Sequence, residues 1–530
     1  MPKPEREDHS SDHKQDAKNS SPAPCSTAIA AVDEHSATDL LNPRHWPLWK
    51  KWTIIFCMSL LNFVDAIGSS ASATAVPALL ADFGHEDVGR VAVILVVSVY
   101  VLGVAVGPVI VAPLSEKYGR LWLYNGCSVL FVVFNIGCAR STSIGALIAL
   151  RALCGVVSAV PPTLGGSYTF GRNSCPPSLT HCGGGSGQHR GLDGRKGSHD
   201  GNSSVGARRH HRASFDQQMM QALRTADGKT SRPTIGPVAG AFIAEAAGWR
   251  WIFWALVIVG GAAALSSLLF MRETHHPTIL RKAAKIPRNV YDTDQAEPQL
   301  PSDGENISAA LLLRPLVLLF TNSSILALSA YSALAVAYLY IFLTTLAETY
   351  TTIYGFSVGV AGLVYLSMGL GAIVGQLVYS ALTDRTVRLH TARGDYKPEH
   401  RLLWAPIGSI VMPLALLWFG WSVEERAHWM VSVVALFPLG FGLVMEMVAP
   451  LAYLIDAFPD CAASAVAATV ISRAVSGAFM PLISVPLYDA LGQGWGNSLL
   501  ALVAFLLVPV LLLISGHIHR LSRHVLHHRT

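Results

Sequence analysis

Charged residues in this chain fall in clusters, and the stretches between clusters are apolar runs about 20 residues long that hold almost no charge. That spacing matches a bilayer. About 20 residues at 1.5 Å rise cross about 30 Å of hydrocarbon, and only structures that satisfy their own backbone groups survive there. Charged residues make up 14% of the chain, well below the ~25% of a soluble protein, so a soluble enzyme is excluded. The formal net charge of +5 gives no basis for binding nucleic acid.

Six spans are expected in each half. The first six lie near Trp52–Ala75, Val91–Ala112, Leu121–Ala139, Ile144–Tyr168, a fragment at Thr234–Ala247, and Trp251–Met271. The second six lie near Ser324–Leu346, Val358–Leu382, Leu402–Trp421, Trp429–Leu451, Ala462–Tyr488 and Ser498–Gly516. The fold expected is all-α and integral to the membrane, twelve helices in two six-helix bundles. Its domains are a disordered tail over 1–51, bundles over 52–271 and 315–516, a hydrophilic, proline-rich linker over 272–314, and a tail over 517–530.

Orientation follows from Lys and Arg, which stay on the cytoplasmic side. They cluster before span one (Arg44, Lys50, Lys51), after span two (Lys117, Arg120), in the linker, after span eight (Arg385, Arg388, Arg393, Lys397, Arg401) and in the last tail (Arg520, Arg523, Arg529). The opposite loops carry single arginines such as Arg140 and Arg250. Both termini are therefore expected in the cytoplasm. The polar first 45 residues do not read as a cleaved leader, so span one is expected to serve as an uncleaved anchor. The sequons at Asn19, Asn202, Asn306 and Asn322 fall on the cytoplasmic side and are expected to stay unglycosylated. The eight cysteines are scattered singly, and Cys175, His181 and Cys182 fit no zinc spacing. No metal or cofactor is expected.

Span two ends in Ala112-Pro113-Leu114-Ser115-Glu116-Lys117-Tyr118-Gly119-Arg120, and span eight ends in Leu382-Thr383-Asp384-Arg385. A carboxylate at a helix end beside a basic residue on the following turn can pair in one conformation and part in another, which latches a gate. Its recurrence at matching places suggests two repeats of one architecture. With the topology, the first string resembles the signature loop of the major facilitator superfamily, in the form typical of its fungal drug:proton antiporters. The resemblance continues through Asn42-Pro43-x-x-Trp46, Gly248-Trp249-Arg250-Trp251, Arg314-Pro315, Tyr354-Gly355-Phe356, Pro398-Glu399-x-Arg401, Asp456-Ala457-Phe458 and Gly494-Trp495.

That resemblance implies a cytoplasmic gate at Glu116, Gly119, Arg120, Asp384 and Arg385, and makes Arg151 in span four the buried arginine that tunes proton exchange. Gly236-Pro237-x-x-Gly240 matches the tail of the antiporter signature, with Ala241 where the family commonly has another glycine. It implies export. Independently of the family, Asp65 in span one and Glu446 in span ten are carboxylates at a depth where a charge is costly, so they are candidates to load and release a proton. Each is alternatively a satisfied carboxylate, Asp65 through hydroxyls such as Ser69 and Ser70. Arg473 in span eleven is a second buried arginine and the expected partner of Glu446. Tyr331, Tyr338, Tyr340 and Phe342 in span seven, with Tyr365 in span eight, are candidate walls of an aromatic substrate cavity, with packing between helices as the competing reading.

Between Thr169 and Arg232 the chain turns Gly-, Arg- and His-rich, and the first half of span five is missing. Either this is a cytoplasmic regulatory loop, or a retained intron or frameshift has overwritten native residues; we take the second. The function expected is a plasma-membrane secondary transporter, monomeric, exporting small organic compounds in exchange for protons. An uptake symporter for a polyamine or vitamin is the main alternative, followed by a non-transporting sensor. Lacking a phosphate-binding loop and any His–Asp cluster at a membrane face, the chain reads as neither an ATP-driven pump nor an enzyme.

Overall fold

The computed structural model describes residues 48–83, 90–165, 232–271, 309–458 and 462–527. The expected N-terminal tail to residue 47, the segment 169–231 and linker residues 272–308 lie outside the described residues. Residues 52–530 form one compact unit.

The described elements are helical throughout, as hydrocarbon requires. Span one is α1 (Leu48–Ser70), a 3₁₀ turn (Ala71–Ala75) and α2 (Val76–Phe83). Spans two and three are α3 (Arg90–Tyr118) and α4 (Arg120–Arg140). Span four is α5 (Ile144–Ser158) followed by α6 (Val160–Gly165), where Pro161 and Pro162 sit in the first turn and tolerate their missing N–H groups. Spans five and six are α7 (Arg232–Ala247) and α8 (Arg250–Phe270).

The second half opens with α9 (Ala309–Thr321), which begins inside the expected linker, and α10 (Ser323–Thr352). Span eight is α11 (Val358–Leu363) running into α12 (Tyr365–Arg393). Spans nine and ten are α13 (Ala405–Glu424) and α14 (Trp429–Ala457). The last two spans lie in α15 (Ala462–His527), which reverses at Gly492 with φ 73°, a conformation that favours glycine. Glu424 accepts a hydrogen bond from the Gly494 N–H at 3.0 Å, satisfying the restarting helix. Over its described residues, every predicted span is thus helical. Among the described residues eight helices are long and apolar enough to cross a bilayer, one of which, Ser464–Leu506, reaches into both final spans, and α5 and α7 are shorter apolar helices.

Glycines set the packing within each half. A Cβ on Gly103 would stand 2.5 Å from the Ala152 carbonyl oxygen, and one on Gly155 would collide with that of Tyr100, so α3 and α5 meet backbone to backbone. The second half repeats this. A Cβ on Gly375 would stand 2.7 Å from the Phe441 oxygen, and Cβ atoms on Gly371 and Gly440 would collide with the carbonyls of Phe437 and Met368, joining α12 to α14. Lipid supplies no hydrophobic drive between helices, so close small-residue contacts hold such bundles together.

Candidate functional site

Arg151 is wholly buried on α5, beneath the break in span one. The 3₁₀ turn there frees backbone acceptors. Arg151 Nη2 donates to the Gly68 carbonyl at 2.9 Å and to Ser72 Oγ at 2.8 Å, and Nε donates to the Val96 carbonyl at 3.3 Å. Its guanidinium lies 4.2 Å from the centre of the Tyr100 ring. The Tyr100 hydroxyl in turn donates to Asp65 Oδ1 at 2.9 Å. Carboxylate, phenol and guanidinium therefore form a chain across spans one, two and four. The guanidinium is held by backbone, hydroxyl and cation–π contacts.

Ser69 and Ser70 do not serve Asp65, since their hydroxyls donate to the Ala66 carbonyl at 2.9 and 2.7 Å. The partner is Tyr100, which sequence reasoning missed. A tyrosine in an apolar span carries no mark that distinguishes it from a packing residue. Asp65 also lines a cavity inside the first half, with Tyr124, Cys127, Phe131, Ser158 and Pro161 among the walls.

Glu446 is buried on α14 beside the Tyr331 hydroxyl, which bonds Ser409. The expected pairing with Arg473 is not formed, because no ion pair joins the two among the described residues. Of the candidate cavity residues, Tyr331, Tyr338, Phe342 and Tyr365 lie in the core. The Tyr338 hydroxyl donates to the Leu500 carbonyl at 2.7 Å and that of Tyr365 to Leu343 at 2.9 Å, while that of Tyr331 bonds Ser409 beside Glu446. They brace the second half. Tyr340 is the tyrosine that reaches across, its hydroxyl against Ser69 of span one.

At the expected gate, Gly119 caps α4 with φ 89°, and Arg120 follows it. The Glu116 side chain lies outside the described residues. Asp384 and Arg385 are exposed, and no ion pair joins them. The strong contact in this region is another one. Asp456 at the end of α14 pairs with Arg401 and accepts from the Tyr396 hydroxyl at 2.5 Å, which ties the α12–α13 connection to α14. Both residues were visible as motif members, but 55 positions separate them and nothing in their spacing announces the pair.

The antiporter glycines work at the seam. Cβ atoms on Gly236 and Gly240 would meet Ser70 Oγ and, at 2.6 Å, the Ala71 oxygen, so α7 lies directly on the broken stretch of span one, with Pro237 inside the helix. The opposite side of α7 meets α11. A Cβ on Gly362 would collide with that of Ala241, and Glu245 accepts from the Gly359 N–H at 2.5 Å and from the Ser357 hydroxyl at 3.3 Å. A carboxylate of one half thereby caps a helix of the other.

The Major Facilitator Superfamily model matches residues 58–170 and 230–481. The chain belongs to the major facilitator superfamily. The interruption of the match falls within the segment where the sequence loses its apolar run. The efflux pump radE of Floropilus chiversii is 34% identical over 500 residues, covering 93% of this chain and 85% of the relative. The MFS-type transporter atr4 of Stereocaulon alpinum is 35% identical over 485 residues, covering 90% and 80%. Among solved structures, the proton:xylose symporter XylE bound to 6-bromo-6-deoxy-D-glucose superposes with a TM-score of 0.58 at 13% identity, covering 87% of this chain and 95% of that one, which shows a shared fold. The protein is therefore a multi-pass membrane transporter of small molecules, similar to fungal members of the superfamily.

Proposed function

We propose that this transporter exports small organic compounds in exchange for protons. The Asp65–Tyr100–Arg151 chain carries the reading. It holds an ionisable carboxylate at mid-span, linked through one phenol to a fixed positive charge, and leaves it beside a cavity. Protonation of Asp65 removes the acceptor charge that Tyr100 faces, and Arg151 is then held by Gly68, Val96 and Ser72 without a carboxylate behind the phenol. Glu446, set against Tyr331 in the second half, is a second proton carrier. Each charge moved through 100 mV supplies about 2.3 kcal/mol. Similarity to a protein named an efflux pump supports export, as do Gly236, Pro237 and Gly240.

In the topology inferred from Lys and Arg, with both termini cytoplasmic in the plasma membrane and the transporter a monomer, the Glu245 cap lies at the outer end. It would seal the path there. Glu116, Gly119, Arg120, Asp384 and Arg385 would then form the cytoplasmic gate, with the Arg401–Asp456 pair bracing it. The test is uptake of a lipophilic dye such as rhodamine 6G into everted vesicles under an imposed pH difference. Asp65→Asn should abolish gradient-driven uptake while leaving the protein folded. Wild-type uptake that ignores the gradient overturns the coupling, and accumulation in whole cells in place of everted vesicles overturns the direction.

A further inference from the structure

Of the two arginines set within the spans, Arg151 is held by acceptors of its own half and Arg473 is not. Among the described residues, the Arg473 side chain has neither a hydrogen bond nor an ion pair. It nonetheless sits on the face of α15 that packs against α10. One turn before it, Thr469 bonds Ser329 at 3.1 Å; just after it, the Ser476 hydroxyl donates to the Ala333 carbonyl at 2.6 Å and Gly477 lies under the Tyr340 ring. Residues 469, 473, 476 and 477 share that face by helical phase. The charge is therefore carried to the level where Tyr340 reaches across to Ser69 of the first half.

The carboxylates within the spans face other groups, Asp65 the Tyr100 hydroxyl and Glu446 that of Tyr331. Arg473 keeps part of its surface open within the packed bundle. Beside it in phase, on α10, the fully buried Ser332 hydroxyl has no hydrogen-bond partner. An uncompensated cation at this depth and an unsatisfied buried hydroxyl on the facing helix each call for an acceptor, and one ligand group answers both. A carboxylate takes two parallel N–H bonds from a guanidinium and has lone pairs left for a hydroxyl, while the Tyr340 ring offers an aromatic ligand a stacking surface.

We propose that Arg473, assisted by Ser332, is the anion-recognition site of the transport path, and that the cargo includes lipophilic organic acids bearing a carboxylate or an ionised phenol, beside cationic compounds that do not use this site. The proposal rests on the reading of this chain as an exporter but is tested without a gradient. Full-length protein in detergent is titrated against fluorescein, an aromatic carboxylate, and against cationic rhodamine 6G, each followed by fluorescence anisotropy. Arg473→Gln should weaken fluorescein binding at least tenfold and leave rhodamine 6G binding unchanged or tighter. Arg473→Lys, which keeps the charge and loses the paired geometry, should fall between. Ser332→Ala should weaken fluorescein binding a few-fold, and remains informative if Arg473→Gln fails to fold. Wild-type binding of rhodamine 6G without fluorescein overturns the proposal, as does unchanged fluorescein affinity in folded Arg473→Gln or in both Arg473→Lys and Ser332→Ala. Because no pH difference is applied, a failure here is distinct from a failure of Asp65-dependent export in vesicles.

Discussion

Moving one methyl group across the seam between α7 and α11 tests whether the two halves close by direct contact. A Cβ on Gly362 would face the Cβ of Ala241 about 1 Å inside the ~3.5 Å optimum for carbon contacts. The next neighbours, the Pro237 oxygen at 3.6 Å and Val238 Cα at 3.7 Å, are in ordinary contact. Gly362→Ala therefore overpacks against one atom, at a cost of about 1–3 kcal/mol. Because the clash lies between halves, the cost falls on the closed arrangement and shifts its population by about 5–150-fold. Ala241→Gly removes the opposing atom, so the double variant should recover all but the ~1 kcal/mol that a helical glycine costs.

Two measurements check this, the rate at which maleimide labels Val238→Cys at the seam and the thermal midpoint in detergent. Gly362→Ala should speed labelling and lower the midpoint by a few degrees, and the exchange should reverse both. Gly375→Ala, whose clash is internal to the second half, should lower the midpoint without speeding labelling. Wild-type labelling in Gly362→Ala, or a double variant no better than the single, would refute the contact as the closing surface.

Gly155→Ala and Gly371→Ala press a Cβ into the carbonyls of Tyr100 and Phe437 and should sharply reduce folded yield, read by size-exclusion profile. Asp456→Asn leaves the largely buried Arg401 without its charge partner, at a cost of roughly 3 kcal/mol or somewhat less given its residual exposure; protease cleavage in the 394–401 connection should rise. Tyr100→Phe keeps the ring beneath Arg151 but removes the bond to Asp65, so it should retain dye binding and alter the pH profile of vesicle uptake. Tyr100→Leu should lose the arginine's support as well and lower the thermal midpoint further.

The helices were legible because hydrocarbon admits only helices and closed barrels, and an unbroken apolar run as long as 91–111 fits the helix alone. Asp65, Arg151 and Glu446 stood out for the same reason, as charges where charge is expensive. Their partners did not. Tyr100 meets Asp65 and Arg151 through the register of α3 against its neighbours, and no periodicity within α3 encodes that register. The pairing of Glu446 with Arg473 failed similarly, since opposite charges on adjacent spans say nothing of helical phase, and the phase of α15 turns Arg473 toward α10. Tyr338 and Tyr365 were legible as aromatic side chains, but the acceptors that hold their hydroxyls were not, being carbonyls 162 and 22 residues away.

The backbone-to-backbone contacts of α3 with α5 and of α12 with α14 leave no clearance for sliding, because any axial shift drives neighbouring side chains into main-chain atoms. Each half is in that sense a stiff lever. Compliance is left to the joint, where α7 rests on a kinked, side-chain-poor stretch of span one and touches α11 through a methyl and a carboxylate. Substitutions that tune turnover without unfolding the protein should therefore concentrate along that line, and screening for altered speed can begin there.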